Sequence, residues 1–361
     1  MNKLKLYQNS SMDALRKQAD LLAEEAVLFL YHHQEWVSKI NAMVGFPSEK
    51  EISDFPKALK EYFSSFYEVP AWMEGEKIRQ AQDYFDKEGN LYLAMLGFYS
   101  LPYCYAFADG AEVLVRSKRI TDEIGMRLSE TALFLLDCFK PGSFIENHEA
   151  LLSISKVRLI HAFSRFFILK YAKDWDGKWG LPVNQEDMLG TNLAFSLLVL
   201  RGMEKLGKYP GKEVHESLLH YWKVIGFYLG IDTSFWPDTA KEAFELEKCI
   251  RKRHLKESEA GKVLIHALLN YYKASIPDSG LAGFSESLVS YFVGEDASNA
   301  LGISQKVKLP KEIINLVLAL SFFRQSGHGT NYYKTRKAFL KQSKLQFGQA
   351  VSLRIPETKR S

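Results

Sequence analysis

The chain has 361 residues, of which 47% are hydrophobic and 25% charged, and its formal net charge is +4 at pH 7. These fractions are typical of an ordinary globular protein that can bury a large core. A surplus of four positive charges is too small for the electrostatic footprint of a nucleic-acid-binding protein, so we expect no nucleic-acid partner. The most basic segment, 248–256, is flanked by glutamates and is interpreted as a solvated helix face.

Apolar residues recur at helical spacing along almost the whole chain, and no sustained alternation of period two is found in the sequence. Prolines, glycines and N-cap residues divide this pattern into helices. In chain order we predict helices near 10–44, 55–67, 74–88, 90–117, 120–139, 145–173, 186–208, 211–230, 238–257, 259–276, 283–293 and 309–325. A turn is expected at 174–180, and 326–361 is predicted to be partly irregular with a frayed end. Since neither a linker nor a fixed-length repeat divides the chain, the sequence favours one all-α domain over 1–361.

Cysteine usage and apolar runs indicate the compartment. Cys104, Cys138 and Cys249 are too few for a disulfide framework in so long a chain, and their apolar or helical contexts predict buried free thiols. The first residues carry charge but lack the apolar stretch and cleavage site of a secretory signal. The longest apolar runs, 193–200 and 314–323, fall short of the ~20 residues that span a bilayer. The sequence therefore predicts a cytoplasmic protein without a transmembrane segment.

The most informative stretch is the predicted helix through residues 154–166, which places His161 between two arginines. Arg158 lies three residues before the histidine and Arg165 four after it, so at about 100° per residue all three side chains share one stripe. Most other residues of this stretch are apolar, so we expect the stripe to be buried. Because buried charge is unfavourable unless paired, two guanidiniums beside a neutral nitrogen ligand indicate a buried dianion that also takes an axial base. Haem, with one iron and two propionates, meets that description.

The same stripe has a purely structural interpretation. A lone histidine on a helix is more often a satisfied core or boundary residue than a metal ligand. Arg158 and Arg165 could equally pair with Asp or Glu side chains of a neighbouring helix. The spacing of the three residues therefore leaves both interpretations open.

A second pair of residues, on the preceding predicted helix, suits a polar pocket. Arg127 and Thr131 are four residues apart and therefore share a face. A guanidinium and a hydroxyl together can donate to a carboxylate or orient a bound oxygen species. The alternative is a surface ion pair between Arg127 and Glu130, which would contribute only about a few tenths of a kcal/mol.

Several other chemistries lack their sequence signatures. There is no Gly-rich phosphate loop and no Gly-x-Ser-x-Gly nucleophile turn. No histidine follows a glutamate by three positions, as the ligands of di-iron bundles require, and no Cys/His spacing suits zinc. Cys138, a conceivable thiolate ligand of haem, lies mid-helix among apolar residues and is interpreted as a buried inert thiol.

A family resemblance is carried by two motifs, Arg127-x-x-x-Thr131 and Lys156-Val-Arg-Leu-Ile-His161-Ala-x-x-Arg165. Together they resemble the family of latex-clearing rubber oxygenases and fungal ER-bound oxygenases of the mycophenolate pathway. The likeness covers about residues 15–250, with further landmarks in the family's order at 70–73, 96–102, 180–191, 221–230 and Pro237. Members of this family are all-α proteins with b-type haem, so the resemblance implies a single multi-helical domain that encloses a haem pocket.

The resemblance also implies roles for individual residues. His161 would be the proximal iron ligand, in agreement with the spacing argument. Arg158 and Arg165 would anchor the surroundings of the haem, including its propionates. Arg127 and Thr131 would lie in the haem pocket, as residues that bind the cofactor and contribute to catalysis.

The chain departs from the family at Glu130, where rubber oxygenases have a lysine that can cap the distal face of the iron. A carboxylate at this position could leave the sixth coordination site open, act as a catalytic base, or face the solvent. The substitution argues against a rubber-type substrate and mechanism but leaves haem binding intact.

The sequence and the resemblance together lead us to expect a haem-b-dependent oxygenase or oxidase. Its partners would be O2, bound to the iron opposite His161, and an apolar, isoprenoid-like small molecule; the oligomeric state stays open. One alternative is a non-catalytic haem sensor or carrier, with a second iron ligand from His148, His254 or His266. Another is an all-α interaction protein without a cofactor, in which the arginines beside His161 pair with carboxylates.

Overall fold

The computed structural model describes residues 3–117, 123–276, 279–310, 312–314, 318 and 331–357. Every regular element within these ranges is helical, and the extended residues there form just one isolated bridge, between Phe107 and Leu255. The α-helices are, in chain order, α1 (Asn9–Leu15), α2 (Leu21–His32), α3 (Gln34–Ala42), α4 (Glu49–Ser53), α5 (Lys57–Ser64), α6 (Gly75–Met95), α7 (Leu101–Tyr105), α8 (Ala108–Arg116), α9 (Ile124–Cys138), α10 (Glu149–Tyr171), α11 (Gln185–Leu193), α12 (Val199–Lys205), α13 (Lys212–Tyr228), α14 (Ala240–His254), α15 (Glu259–Ser275), α16 (Ser279–Ala282), α17 (Ser285–Val293), α18 (Glu295–Leu301) and α19 (Tyr332–Phe347). Short 3-10 turns occur at Lys3–Leu6, Ser65–Tyr67 and Gly177–Trp179. The predicted all-α fold is confirmed.

Buried apolar side chains form one connected core that extends along the chain from Met12 to Ile355. Helix α6 packs along α13, and Trp222 of α13 is fully buried at the centre of this layer. Helix α10 packs between α2 and α9. The stripe that contains His161 therefore lies on a helix flanked by two helices from other parts of the sequence.

Helix α10 forms because its 23 residues contain neither proline nor glycine. It begins after His148, which adopts φ 55°, and ends at Tyr171. Buried positions occur on almost all sides of the helix between Ala150 and Ile168. The prediction of a largely buried helix near 145–173 is confirmed, with its ends a few residues inside the expected range.

Helices α6 and α11 each continue into a π-helical segment, Leu96–Ser100 and Ala194–Leu198. The wider π turn interrupts the α-helical hydrogen-bond ladder and frees backbone carbonyls. Side-chain hydroxyls occupy two of these: Ser100 Oγ donates to the oxygen of Ala194 over 2.6 Å, and Tyr92 donates to the next carbonyl over 2.5 Å. These bonds hold α6 and its π-helical segment against the second π-helical segment.

The predicted boundaries fail where local geometry overrides the apolar pattern. The expected helix over 10–44 is divided into α1, α2 and α3, and Asp20 caps α2 by accepting the amide hydrogen of Ala23. The expected break near residue 89 is absent. Gly89 is buried and lies within the continuous helix α6. The helix over 295–301 was not predicted.

The C-terminal part is more regular than expected. Helix α19 occupies 332–347, where the sequence predicts irregular structure. The predicted helix over 309–325 lies largely outside the described residues, and 312–314 and 318 are helical. Beyond α19, the side chains of Val351, Leu353 and Ile355 are buried. Asn41 holds this segment through two hydrogen bonds to the backbone of Ile355, of 2.9 and 3.0 Å.

All three cysteines carry free thiols; Cys138 is buried, and Cys104 and Cys249 are half-buried. Burial raises the pKa of each thiol, and that of Cys104 reaches about 12. The thiols are therefore protonated at neutral pH, as expected for inert core cysteines. Among the described helices, none combines the length and apolarity needed to cross a bilayer.

Candidate functional site

His161 lies in the middle of α10 with its side chain half-buried. Its Nδ1 atom is buried and has no hydrogen-bond partner among the described residues. Burial lowers the pKa of the imidazole to about 4, and the positive charges of Arg165 and Arg127 lower it further in the same direction. The ring is therefore neutral at physiological pH and keeps a nitrogen lone pair, which is the form that binds a metal.

Arg158 is buried and forms a bidentate ion pair with Asp20, the N-cap residue of α2. Its Nε donates to Asp20 Oδ2 over 2.5 Å and its Nη2 to Asp20 Oδ1 over 2.9 Å. Nη1 donates to the backbone oxygen of Tyr228 over 3.4 Å. All three nitrogens of the guanidinium are thus engaged by the protein.

Arg165 is almost completely buried and is held from two sides. Its Nε donates to Glu24 Oε1 over 2.6 Å. Its Nη1 donates to the carbonyl oxygens of Val183 and Pro182 over 2.7 and 3.2 Å. Its Nη2 is buried and has no partner among the described residues. Arg165 therefore has one donor group available for a ligand.

The pairing of both arginines corrects the charge argument made from the sequence. The sequence suggested that buried arginines at 158 and 165 require a dianionic ligand, whereas the structure places Asp20 and Glu24 against them. The alternative of carboxylates from a neighbouring helix is what the structure shows. Asp20 and Glu24 were missed by the sequence argument, although their spacing of four residues places them on one face of a helix. Nothing in the sequence alone identifies their partners.

Arg127, Glu130 and Thr131 form a compact polar group on α9. Arg127 Nη1 donates to Glu130 Oε2 over 2.7 Å, so the ion pair suggested by the sequence exists. It is not a surface pair, because Glu130 is only 7% exposed; its carboxylate therefore does not simply face the solvent. Thr131 Oγ1 donates to the carbonyl oxygen of Arg127 over 3.0 Å. The threonine proton is thus engaged, and its oxygen lone pairs remain able to accept.

The structure brings part of the predicted site together across the contact between α9 and α10. The charges of Arg127 and Arg165 are close enough to lower the pKa of His161, and the charge of Asp20 acts in the opposite direction. Arg158 faces Asp20, and each of its three nitrogens donates to a protein oxygen, so one N–H group remains on Nη1 and one on Nη2. The charges that act on the imidazole are thus those of Arg127, Arg165 and Asp20.

Two of the three histidines considered as second iron ligands are badly placed. His148 immediately precedes α10 and lies thirteen positions before His161, which is a rise of about 20 Å along the helix. His266 is exposed on α15. Neither residue is therefore assigned as a second metal ligand beside His161.

His254, the third candidate, is already saturated. Its Nδ1 lies 3.2 Å from Asp109 Oδ2 and its Nε2 lies 3.0 Å from Glu186 Oε2. Burial alone would lower the pKa of this imidazole, but the hydrogen bonds to the two carboxylates outweigh burial and raise it. This histidine belongs to a buried ion network, and both nitrogens are occupied there.

Two surface cavities, of about 310 and 620 Å³, lie near the C-terminal end of α14. Neither has His161 or any other α10 residue in its wall, so we assign them no part in the candidate site. The smaller is lined by Asn9, Asp109, Lys252, Arg253 and His254, and the larger by Lys248, Arg251, Lys252, Leu255, Lys256, Glu257, Asp296, Asn299 and Ala300.

Comparison with known proteins adds two findings. The model of the family described as ER-bound oxygenase mpaB/B'/Rubber oxygenase, catalytic domain, matches residues 103–316, which is more than half of the chain and contains every predicted site residue. A solved structure of latex clearing protein LCP in the closed state is similar, with a TM-score of 0.68, 17% sequence identity and 90% of each chain covered. At this identity the similarity concerns the fold alone. No curated protein matches the chain.

Proposed function

The chain belongs to the family of ER-bound mpaB/B' and rubber oxygenases, and on that premise we propose that it is a haem-b-dependent oxygenase or oxidase. Its substrate would be an apolar, isoprenoid-like small molecule, and O2 would bind opposite His161. The observation that carries the proposal is the neutral imidazole of His161, which lies inside the matched range with a buried, unpartnered ring nitrogen.

The residues present fit a haem group. His161 Nδ1 and Arg165 Nη2 are both buried polar atoms without a described partner, and they lie one helical turn apart on α10. Unpartnered buried polar atoms are unfavourable, so two at one place favour the binding of a group that supplies a metal and a hydrogen-bond acceptor. His161 would hold the iron, and Arg165 Nη2 would donate to a propionate. When bound, haem supplies the redox chemistry that activates O2.

The chain's own residues prepare the imidazole for this role. Burial and the charges of Arg127 and Arg165 keep His161 unprotonated, so no proton competes with the metal for its lone pair. The neighbours that follow His161 on α10, Ala162 and Phe163, are apolar and fully buried. An apolar environment of this kind also suits an apolar substrate.

Arg127, Glu130 and Thr131 are the catalytic candidates in this proposal. The ion pair with Arg127 fixes the Glu130 carboxylate, which can then accept a proton from the substrate or a bound water. The Thr131 oxygen can accept a hydrogen bond from the same species while its proton stays on the Arg127 carbonyl.

An absorption spectrum of haem-supplied protein tests the proposal. We expect a Soret band in the wild type and in His266→Ala, a matched change at an exposed histidine, and its loss in His161→Ala. Binding of CO to the ferrous protein and O2 consumption with an apolar isoprenoid should follow, and turnover should fall in Glu130→Gln. A colourless wild type after ample haem supply, or an unchanged Soret band in His161→Ala, contradicts the proposal. Haem binding without any O2 consumption would favour the sensor or carrier alternative.

A further inference from the structure

We propose that Asp20 and Glu24 are positioning residues of the His161 site. Their carboxylates form ion pairs with Arg158 and Arg165. These ion pairs fix the rotation of α10 about its axis and therefore the direction of the His161 imidazole. The inference rests on the proposed function for its purpose, but the contacts on which it is built do not depend on a bound cofactor.

The spacing of the four residues makes two clamps, one on each side of the histidine. Asp20 and Glu24 are four residues apart at the start of α2 and therefore project from the same face. Arg158 lies three residues before His161 and Arg165 four after it, which is about one helical turn in each direction. A helix held at two points, above and below one residue, cannot rotate that residue without breaking an ion pair.

The Asp20–Arg158 clamp is closely surrounded. Both side chains are about nine-tenths buried, and the pair has the bidentate geometry that orients a guanidinium most strictly. Gly230, with φ +80°, packs directly against the pair: a Cβ at this position would lie 2.4 Å from Asp20 Oδ2 and 2.9 Å from Arg158 Nε. A glycine is required both by this backbone conformation and by the close approach. A side chain at position 230 would therefore collide with the ion pair between Asp20 and Arg158.

The Glu24–Arg165 clamp extends to the loop before α11. While Glu24 holds Nε of Arg165, Nη1 of the same guanidinium donates to the carbonyls of Pro182 and Val183. Val183 has φ +53°, a conformation that a β-branched residue adopts only under constraint. Glu24 therefore orients an arginine that in turn holds a strained turn and presents its remaining nitrogen, Nη2, near His161.

The sequence allows variants that remove charge with little other change. Asp20→Asn keeps a good N-cap residue on α2 but removes the negative charge that pairs with Arg158. Glu24→Gln does the same for Arg165, and it is expected to fold because Glu24 is one-third exposed. The control is Glu25→Gln, an exposed neighbour on the same helix with no described ion pair to either arginine.

The first measurement uses cofactor-free protein and the imidazole NMR signals of His161, with His266 as an internal reference. We expect Asp20→Asn and Glu24→Gln to shift or broaden the His161 signals, and Glu25→Gln to leave them as in the wild type. The second measurement is the rate of haem transfer to an excess of apomyoglobin, which we expect to increase about tenfold in the two clamp variants, as for the loss of other residues that orient metal ligands.

The two proposals fail in different ways. Unchanged His161 signals in folded Asp20→Asn and Glu24→Gln would overturn the positioning role, whether or not the protein binds haem. A colourless wild type would overturn the proposed function and leave the NMR test intact. If Asp20→Asn does not fold, Glu24→Gln alone decides the outcome, and Glu24→Asp should restore part of the wild-type signal if the carboxylate is what matters.

Discussion

His161 and His254 are both helical histidines in a largely buried setting with arginines close by, yet their chemistry is opposite. The pKa of His161 is lowered to about 4, and its Nδ1 has no described partner. The pKa of His254 is raised, because Asp109 and Glu186 each bind one of its nitrogens. Burial disfavours the charged form at both places, so the carboxylates within hydrogen-bond reach make the difference.

The acidic residues near His161 are directed away from it. Asp20 and Glu24 bind the arginines on either side of the imidazole and leave the ring itself unbonded. At the other histidine, Glu186 accepts from the ring and also pairs with Arg253 over 2.7 Å. One ring is thus kept available for a ligand, and the other serves as a charged link between α8, α11 and α14.

The largest contrast should appear in the free energy of unfolding of the cofactor-free protein. His254→Leu removes one of the cations that pair with Asp109 and Glu186 but leaves Arg16, Arg253 and Lys256 against them, so it should cost roughly 1.5–3 kcal/mol. His161→Leu removes an unsatisfied buried nitrogen and should change stability by about 1 kcal/mol or less, in either direction. Urea denaturation of both variants and the wild type measures this, and equal losses would show that the two histidines are structurally equivalent.

The two histidines should also give opposite pH dependences. The unfolded chain protonates a histidine near pH 6.5. The folded-state pKa of His161 is about 4, so between pH 6.5 and 4 the unfolded chain binds a proton that the folded protein does not. The free energy of unfolding is therefore highest above pH 6.5 and falls as the pH falls towards 4, by about 1–2 kcal/mol at pH 5. The raised pKa of His254 gives a contribution that is full below pH 6.5 and is lost as the pH rises through the folded-state value.

Denaturation series at pH 5, 6.5 and 8 on the wild type and the two leucine variants separate these contributions. The advantage of the wild type over His254→Leu should shrink at high pH, and its stability relative to His161→Leu should fall at low pH. The same trend for both histidines would contradict the assigned environments.

The smallest effect is expected in the loop that contains Val183, which lies between the His161 site and the ion network of His254. Val183 is held at φ +53° by Arg165, and the neighbouring Leu181 amide donates to the carbonyl of Arg16 in the His254 network. Val183→Gly relieves the backbone strain, which exceeds the cost of the greater freedom of glycine in the unfolded chain, and should stabilise the protein by up to about 1 kcal/mol. Val183→Ala removes the same contacts without relieving φ and should not stabilise. Thermal unfolding of the two variants makes the comparison.

The sequence predicted what depends on local geometry. Helix α10 and the shared stripe of Arg158, His161 and Arg165 follow from a run without Pro or Gly and from the helical repeat. The partners Asp20 and Glu24 lie 138 and 141 residues away, and no local rule assigns them. Glu130 was recognised as unusual, but its burial against Arg127 depends on tertiary packing.

Two misses in secondary structure have related causes. Helix α6 continues through Gly89 because burial in the core outweighs the low helix propensity of glycine. Helix α19 buries only a narrow stripe, namely Tyr332, Thr335, Phe339 and Ser343. Two of these four residues are polar, so the apolar pattern was too weak to predict a helix there.

The two hydrogen bonds between Asn41 and Ile355 join residues 314 positions apart. At a synthesis rate of about 5–20 residues per second, the surface beside Asn41 stays uncovered on the ribosome for on the order of 15–60 s. Over that interval the nascent polypeptide exposes apolar surface that Val351, Leu353 and Ile355 later cover. Productive expression should therefore respond to chaperone supply, and most strongly in truncated chains that end before residue 351.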